Sequence, residues 1–415
     1  NVKGKRTLNR ATSPVQPGST IKPLSIYTAA IDTLEMTQST VFSDARGGYK
    51  FKENRKWNPS TTTAGAGNMT LRLGLAKSSN TVAVKTAENL GESYQDCIDV
   101  MMDYLKNFGI TTVVDSKTNS SNTTDRSFPS LVLGGMAYGI SPLEMSAAYG
   151  ALANGGVYIE PTVFTTVSTY NGELIVKSTP QEHRVVDEEV AYVMTDMLKA
   201  VLTEGTGSDA SIGKMPVAGK TGTTNNKYCV WFVGYTPYYV GATYIGDDAG
   251  TKDTSGNIIP RRSVEGTSGT AAALWASVMG PIHENLTVAK FTKPDGVYFA
   301  KINPTDGGTS SYGVSAAFID GTSPSRASSY QVTQPQQNDV EEDESTPDNS
   351  GDGGNTPPEE ETPSEDQDTT PPEDNTNNDN NTGGNIGNET IEDNNNNAND
   401  STVDNITDTI NTPED

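Results

Sequence analysis

The charge of this 415-residue chain breaks sharply near residue 330. Residues 331–415 hold 24 of the 53 acidic residues, and no Lys, Arg or aromatic residue falls there. Asp, Glu, Asn, Thr and Pro dominate the segment. Such a composition cannot bury enough apolar surface to offset the entropy of ordering, which predicts a disordered acidic tail over 325–415. The folded part is then residues 1–324, long enough to enclose a real core. Residues 1–330 carry 29 acidic and 29 basic residues, so the formal net charge of −24 lies wholly in the tail. A neutral folded part without a basic face argues against nucleic acid as a partner.

The two cysteines, Cys97 and Cys229, read as buried small hydrophobes rather than as a bridge. The two histidines, His183 and His283, lie far apart in polar contexts, which argues against a metal centre and against a Ser-His-Asp triad. No cofactor is expected. No run of 18 apolar residues exists, so no segment of this chain should cross a membrane. The opening "NVKGKRTLNR" resembles the middle of a domain, and the chain is expected to be a fragment or a processed product.

Residues 20–36 read as a helix, with Ile21, Leu24, Ile31 and Leu34 near helical spacing. Residues 37–68 look loop-like. "MTLRLGLAKSSNTVAVKTAENLG" (69–91) reads as two short helices broken at Ser78-Ser79-Asn80. Residues 94–107 form an amphipathic helix closed by Gly109. "SKTNSSNTTDRS" reads as an exposed loop. Ser141 caps a helix with Pro142 at its first position, ending at Asn154-Gly155. Another helix covers about 187–203. "MPVAGKTGT", "YCVWFVGYTP" and "YYVGATYIGDD" are β-rich runs, an expected antiparallel meander, and a helix follows over about 268–279. The fold class is therefore α+β, an antiparallel sheet flanked by helices.

Three short motifs stand out, each with decoys. Ser-x-x-Lys occurs at Ser19/Lys22 and at Ser211/Lys214. The second runs straight into a strand, whereas the first opens a helix, where residues three apart lie side by side. A desolvated Lys beside a Ser hydroxyl can act as its base, and a helix N-terminus supplies N–H groups for an oxyanion. Taken alone, the pattern reads as an ordinary Ser cap with a solvated Lys. Ser-x-Asn occurs at Ser78/Asn80, Ser120/Asn122 and Ser255/Asn257. The last two sit in polar loops and read as turn chemistry. The first interrupts two apolar helices, and alone it reads as a helix cap. Lys220-Thr221-Gly222, extended by Thr223, occurs once, at the start of a β-rich run. Lys and Thr hydroxyls on an edge strand suit a carboxylate, and Gly222 is expected to leave room for a substrate against the strand. Alone it reads as a strand-entry turn.

The three motifs together, with Ser78 59 residues and Lys220 201 residues after Ser19, form the signature shared by penicillin-binding proteins and class A β-lactamases. Residues 7–324 resemble the transpeptidase domain of a class A, bifunctional penicillin-binding protein. "LNRATSPVQPGSTIKP", "MTLRLGLAKSSNTVAV", "LGGMAYGISPLEMSAAYGALANGG", "AYVMTDMLKAVLTEGTG", "GKTGTTNNKYCVWFVGYTP" and "SGTAAALWASVM" all follow that family in order. The resemblance implies Ser19 as the acylated nucleophile, Lys22 as its base and Ser78 as a proton relay to the leaving amine. It implies Asn80 as a holder of the substrate amide and of Lys22, and Lys220 as the group that tunes Ser78. Thr221 and Thr223 would bind the terminal carboxylate of a D-Ala-D-Ala stem peptide, with the N–H groups of Ser19 and Thr223 as the oxyanion hole. Implied partners are peptidoglycan stem peptides as donor and amine acceptor, β-lactams that mimic the donor, and the cell-wall synthesis machinery, at the extracytoplasmic face of a bacterial membrane.

That family's glycosyltransferase domain, its membrane anchor and the sheet strands that precede the Ser-x-x-Lys helix are expected to be absent. Three strands over about 217–247 should remain of a five-stranded sheet. A β-lactamase is the nearest rival, but the Glu-x-x-Leu-Asn motif of that family is nowhere in the sequence. A D,D-carboxypeptidase differs only in its acceptor. A non-catalytic β-lactam sensor or cell-wall binding module would keep the pocket without turnover.

Overall fold

The computed structural model describes residues 8–33, 36–44, 66–115, 123–247 and 262–325, with Pro59 and Thr63. The acidic tail beyond Ser325, most of the 116–127 loop and the decoys Ser120/Asn122 and Ser255/Asn257 lie outside them. By contacts the chain divides into residues 1–338 and 339–415, and everything described belongs to the first.

The sequence-predicted helix at 20–36 starts earlier, ends earlier and changes pitch twice. It opens as a 3-10 turn, Gly18–Ile21, widens to a π turn, Pro23–Tyr27, and closes as α1, Thr28–Asp32. Pro23 is the physical reason. It has no N–H to donate, so the ladder is broken beside it. Its own carbonyl is taken instead by the N–H of Thr28, five residues on, and by the Thr28 hydroxyl at 2.7 Å.

A short antiparallel pair follows, β1 (Val41–Ser43) with β2 (Asn68–Thr70), inside the region that reads as loop. The helices α2 (Leu71–Ala76) and α3 (Asn80–Glu88) flank the expected break at Ser78. The 14-residue α4 (Tyr94–Asn107) starts at a Ser93–Asp96 capping box, and the short α5 (Phe128–Leu133) comes next. The α6 helix (Pro142–Ala153) has Ser141 and Glu144 capping each other, as its sequence dictates.

The chain then makes a β excursion. β3 (Val157–Ile159) pairs with β6 (Glu182–Arg184), and β4 (Thr166–Ser168) pairs with β5 (Leu174–Lys177). After α7 (Glu188–Thr203) the meander appears: β7 (Ala218–Thr223), β8 (Cys229–Tyr235) and β9 (Val240–Gly246), antiparallel in that order. α8 (Ser268–His283) runs one turn beyond the 279 expected. The hairpin β10 (Val297–Ile302) with β11 (Val314–Ile319) ends the described chain.

β8 shows how the layers form. All seven of its residues are buried. Alternate side chains of a strand face opposite sides of a sheet. Trp231, Val233 and Tyr235 join the main core with the helices around Ile21, Leu24, Tyr149 and Met194. Val230 and Phe232 join a second core with Ala271, Trp275 and Met279 of α8. The continuous apolar run in "CVWFVGY" is thus the mark of a strand covered on both faces. Cys97 and Cys229 are both buried and form no disulfide.

One ion-pair cluster ties the layers together. Arg72 of α2 donates to Asp196 Oδ2 at 2.8 Å and to Glu204 Oε1 at 3.0 Å. Asp196 Oδ2 also accepts from Gln38 Nε2 and from the N–H of Ala317 on β11. A single carboxylate of α7 therefore docks α2, the segment before β1 and the last hairpin. Arg72→Met removes the buried cation and leaves Asp196 with the exposed Lys199 amine at 3.5 Å, and losing one partner of a buried pair costs about 3–5 kcal/mol. Urea unfolding of Arg72→Met against the parent chain should show most of that loss; a change under about 1 kcal/mol would mean that Lys199 and Gln38 satisfy Asp196 without Arg72.

Candidate active site

The serine turn is placed by backbone contact. In a 3-10 turn residues three apart lie one above the other, so Ser19 and Lys22 share a face. Gly18 has φ +53°, and a Cβ there would lie 2.7 Å from the carbonyl oxygen of Thr223 on β7. Gly134, the left-handed cap that ends α5, sits equally close: a Cβ on it would lie 2.2 Å from the Gly18 carbonyl oxygen. The turn is therefore gripped between the end of α5 and the edge of β7, where only glycines fit. Tyr149 of α6 donates its hydroxyl to Thr20 O at 2.7 Å, and Trp231 of β8 donates its indole N–H to Gln16 O at 2.9 Å.

Ser19 is half-buried, and its hydroxyl has no hydrogen-bond partner among the described residues. Its N–H is one of the donors that a helix start leaves unpaired. Just past β7, Thr224 N–H donates to Cys229 O at 3.0 Å. Antiparallel ladders alternate, so the N–H of Thr223 turns to the other edge, where Gly18 lies. The N–H groups of Ser19 and Thr223 thus flank the same opening.

Lys22 is wholly buried. Its amine donates to Asn80 Oδ1 at 2.6 Å, to Ser78 O at 3.1 Å and to Ser79 O at 3.4 Å. Those oxygens converge because the break between α2 and α3 is wound tightly. Ser78 adopts φ +58°, an uncommon conformation for a residue with a side chain. The N–H of Ser79 closes back on Gly74 O at 2.8 Å, and its hydroxyl accepts from Val82 N–H to cap α3. The same Ser79 hydroxyl donates to the buried carboxylate of Asp44 at 2.6 Å.

Lys220 is also wholly buried, on β7, and burial lowers its amine to about 7. It donates to Thr221 O at 3.0 Å and to Thr221 Oγ1 at 3.4 Å. Lys22 is held well below the ordinary lysine range by burial, then by the like charge of Lys220, with Asp44 acting against both. Two buried amines this close cannot both ionise freely. Thr221 is buried, its hydroxyl 2.5 Å from that of Thr206, while Thr223 is exposed beside the serine turn.

The structure brings all eight sequence-predicted residues into one place. It also shows contacts that the arrangement still lacks. No hydrogen bond joins Ser19 to Lys22 or to Ser78, and none joins Lys220 to Ser78. Gly222 differs from its expected role: a Cβ there would meet Pro17 O at 2.6 Å and Thr20 Cγ2 at 2.8 Å. The space it leaves is filled by the serine turn, not by a substrate. The decoy Ser211 and Lys214 are both exposed, beyond a 3-10 turn at Ser208–Ala210. The sequence reading missed Asp44, Gly134 and Thr206. His183 bonds to Asn107 O, and His283 sits between Met279 O and Thr236 Oγ1, so both rings have structural partners.

Residues 1–259 match the family described as the penicillin binding protein transpeptidase domain. The chain belongs to that family. Penicillin-binding protein 1A of Clostridium botulinum is 35% identical over 312 residues, which is 73% of this chain and 35% of that protein. The chain therefore spans about a third of the length of such relatives. Among solved structures, penicillin-binding protein 1A from Haemophilus influenzae aligns with a TM-score of 0.62 at 27% identity, over 77% of this chain and 50% of that one. The D,D-transpeptidase domain of a peptidoglycan glycosyltransferase from Eggerthella lenta aligns with a TM-score of 0.52 at 25% identity, over 69% and 70%. The α+β fold, with its antiparallel meander between helical layers, is the fold of penicillin-binding transpeptidases.

The buried lysines leave a mark on stability. Lys220 takes up its proton near 7 when folded but near 10.5 when unfolded. Between those values the unfolded chain binds more protons, so stability rises as the pH climbs through that window. Lys22 contributes with the same sign. Urea midpoints of the parent chain should therefore increase from about pH 7 to about pH 9.5, and Lys220→Met should flatten the increase. An identical rise in both chains would show that Lys220 is not buried as a neutral amine.

Proposed function

We propose that this domain is a serine D,D-transpeptidase, which cross-links peptidoglycan stem peptides through an acyl-enzyme on Ser19 and is inhibited by β-lactams. The observation that carries the reading is the Lys22 amine. It is buried, held well below the ordinary lysine range by that burial, and fixed on the same helical face as the half-buried Ser19.

In this reading Lys22 Nζ accepts the Ser19 proton as Ser19 Oγ attacks the carbonyl carbon of the donor's D-Ala-D-Ala bond. The N–H groups of Ser19 and Thr223 receive the developing oxyanion. The C–N bond then breaks. The Lys22 ammonium returns its proton through the Ser78 hydroxyl to the leaving D-Ala nitrogen, which leaves Lys22 neutral again, with Lys220 supporting Ser78 by its field. Asn80 fixes Lys22 and the donor amide, while Thr221 and Thr223 face the donor's terminal carboxylate. An acceptor amine attacks the Ser19 ester, loses its proton to the same base and carries away the acyl group. A β-lactam acylates Ser19 in the first step, and its opened ring stays attached.

The length of the relatives supports a longer parent, with a peptidoglycan glycosyltransferase domain and a membrane anchor. That parent would place this domain at the extracytoplasmic face of a bacterial membrane, among the cell-wall synthesis machinery. No helix among the described residues is long and apolar enough to cross a membrane.

Intact-protein mass spectrometry with a fluorescent penicillin tests the chemistry. Ser19→Ala should abolish the adduct. Lys22→Ala should slow acylation by roughly 10²-fold or more, the scale for losing a general base. Thr223→Ala should cost less, since its backbone N–H remains, and Ser211→Ala should change nothing. An adduct that survives Ser19→Ala would show the wrong serine was chosen. Incubation of the domain with a stem-peptide donor and an acceptor amine then separates transpeptidation, which gives a cross-linked product, from simple hydrolysis.

A further inference from the structure

Asp44 directly follows β1, and its carboxylate is fully buried. Its Oδ1 accepts the Ser79 hydroxyl at 2.6 Å, and its Oδ2 has no hydrogen-bond partner among the described residues. A buried carboxylate with one oxygen unpaired is destabilising by itself. The fold carries that cost beside the site. Ser79 is the middle residue of the Ser78-Ser79-Asn80 break, and its carbonyl, with that of Ser78, faces the Lys22 amine. The ionisable groups that feel Asp44 come from two elements. Lys22 and Tyr27 come from the serine helix, and Lys85 comes from α3, its amine 2.5 Å from Ser43 O. From the far side, Lys220 of β7 faces Lys22 with like charge.

We propose that Asp44 is a positioning residue for this site: its carboxylate holds the Ser78-Ser79-Asn80 turn against Lys22 and sets a negative charge facing that amine. The inference rests on Lys22 being the base for Ser19. Burial and Lys220 both lower the basicity of Lys22, and Asp44 opposes both. It does so without touching the substrate, and through Ser79 it keeps the two carbonyls and Asn80 Oδ1 aimed at the amine.

Asp44→Asn keeps a hydrogen-bond acceptor for Ser79 and removes the charge. In the full-length chain, isotope-labelled at lysine Cε, the Lys22 resonance is assigned by its disappearance in Lys22→Arg. Its NMR titration midpoint should lie at lower pH in Asp44→Asn than in the parent. Ser79→Ala should move it the same way, because the turn loses its tie to Asp44 and its carbonyls are no longer held against the charged amine. Penicillin acylation by Asp44→Asn should show its acid limb displaced to lower pH, with a lower plateau. An unmoved Lys22 midpoint in Asp44→Asn overturns the proposal; if that variant does not fold, Ser79→Ala decides on the same reading. A parent chain that forms no penicillin adduct would sink the proposed function, yet the titration would still decide whether Asp44 governs Lys22.

Discussion

The site depends on one buried amine. Lys22 has no solvent to accept its hydrogen bonds, so the protein must supply oxygens, and the break between α2 and α3 supplies them. Three oxygens from Ser78, Ser79 and Asn80 point at one nitrogen. An ammonium has three donors to give, and this cage matches that number. The cage therefore favours the charged form, while burial and Lys220 favour the neutral one. The amine ends well below its ordinary range, so desolvation and like charge outweigh the hydrogen bonds. The basicity of the amine proposed to act on Ser19 is thus set by opposed effects.

The same requirement explains the strain at Ser78. A left-handed φ at a residue with a side chain costs roughly 1–2 kcal/mol. Relaxing it would swing the Ser78 and Ser79 carbonyls away from Lys22 and leave buried donors unmet, which costs at least as much. The turn is held from both sides. Gly74 O takes the Ser79 N–H, and Arg72, two residues earlier on α2, is locked to Asp196 and Glu204. Stability far from the serine is thus spent on the geometry of the lysine.

Much of this was legible in the sequence. Ser19/Lys22, Ser78/Asn80 and Lys220-Thr221-Gly222-Thr223 each sit where their local pattern put them: a helix opening, a polar break and a strand in a meander. The capping box at Ser141/Glu144 and the two-sided burial of β8 follow from short-range rules that act within a few residues. What escaped was the work of contacts far apart in the chain. Asp44 follows a three-residue strand in a segment without periodicity, and its partner Ser79 lies 35 residues on. Gly134 looks like an ordinary helix terminator until Gly18, more than a hundred residues earlier, is seen packed on it. The change of pitch at Pro23 was invisible because apolar spacing does not separate 3-10 and π turns from α over so few residues.

Gly222 shows how a residue singled out in the sequence can have a different physical reason in the fold. A glycine on an edge strand suggests open space for a substrate. Here the space is closed by Pro17 and Thr20, and the closure is what brings the Ser19 and Thr223 N–H groups to one opening. A side chain at Gly222, or at Gly18 opposite, would part the turn from the strand. The two donors of the proposed oxyanion site, Ser19 and Thr223, lie 204 residues apart in sequence, and no covalent link fixes their separation. Close approach at two glycines does so instead: Gly18 lies against the Thr223 backbone, and Gly222 against Pro17 O and the Thr20 methyl. The two glycines thus serve the same end as the lysine cage: a geometry fixed by the fold before any ligand arrives.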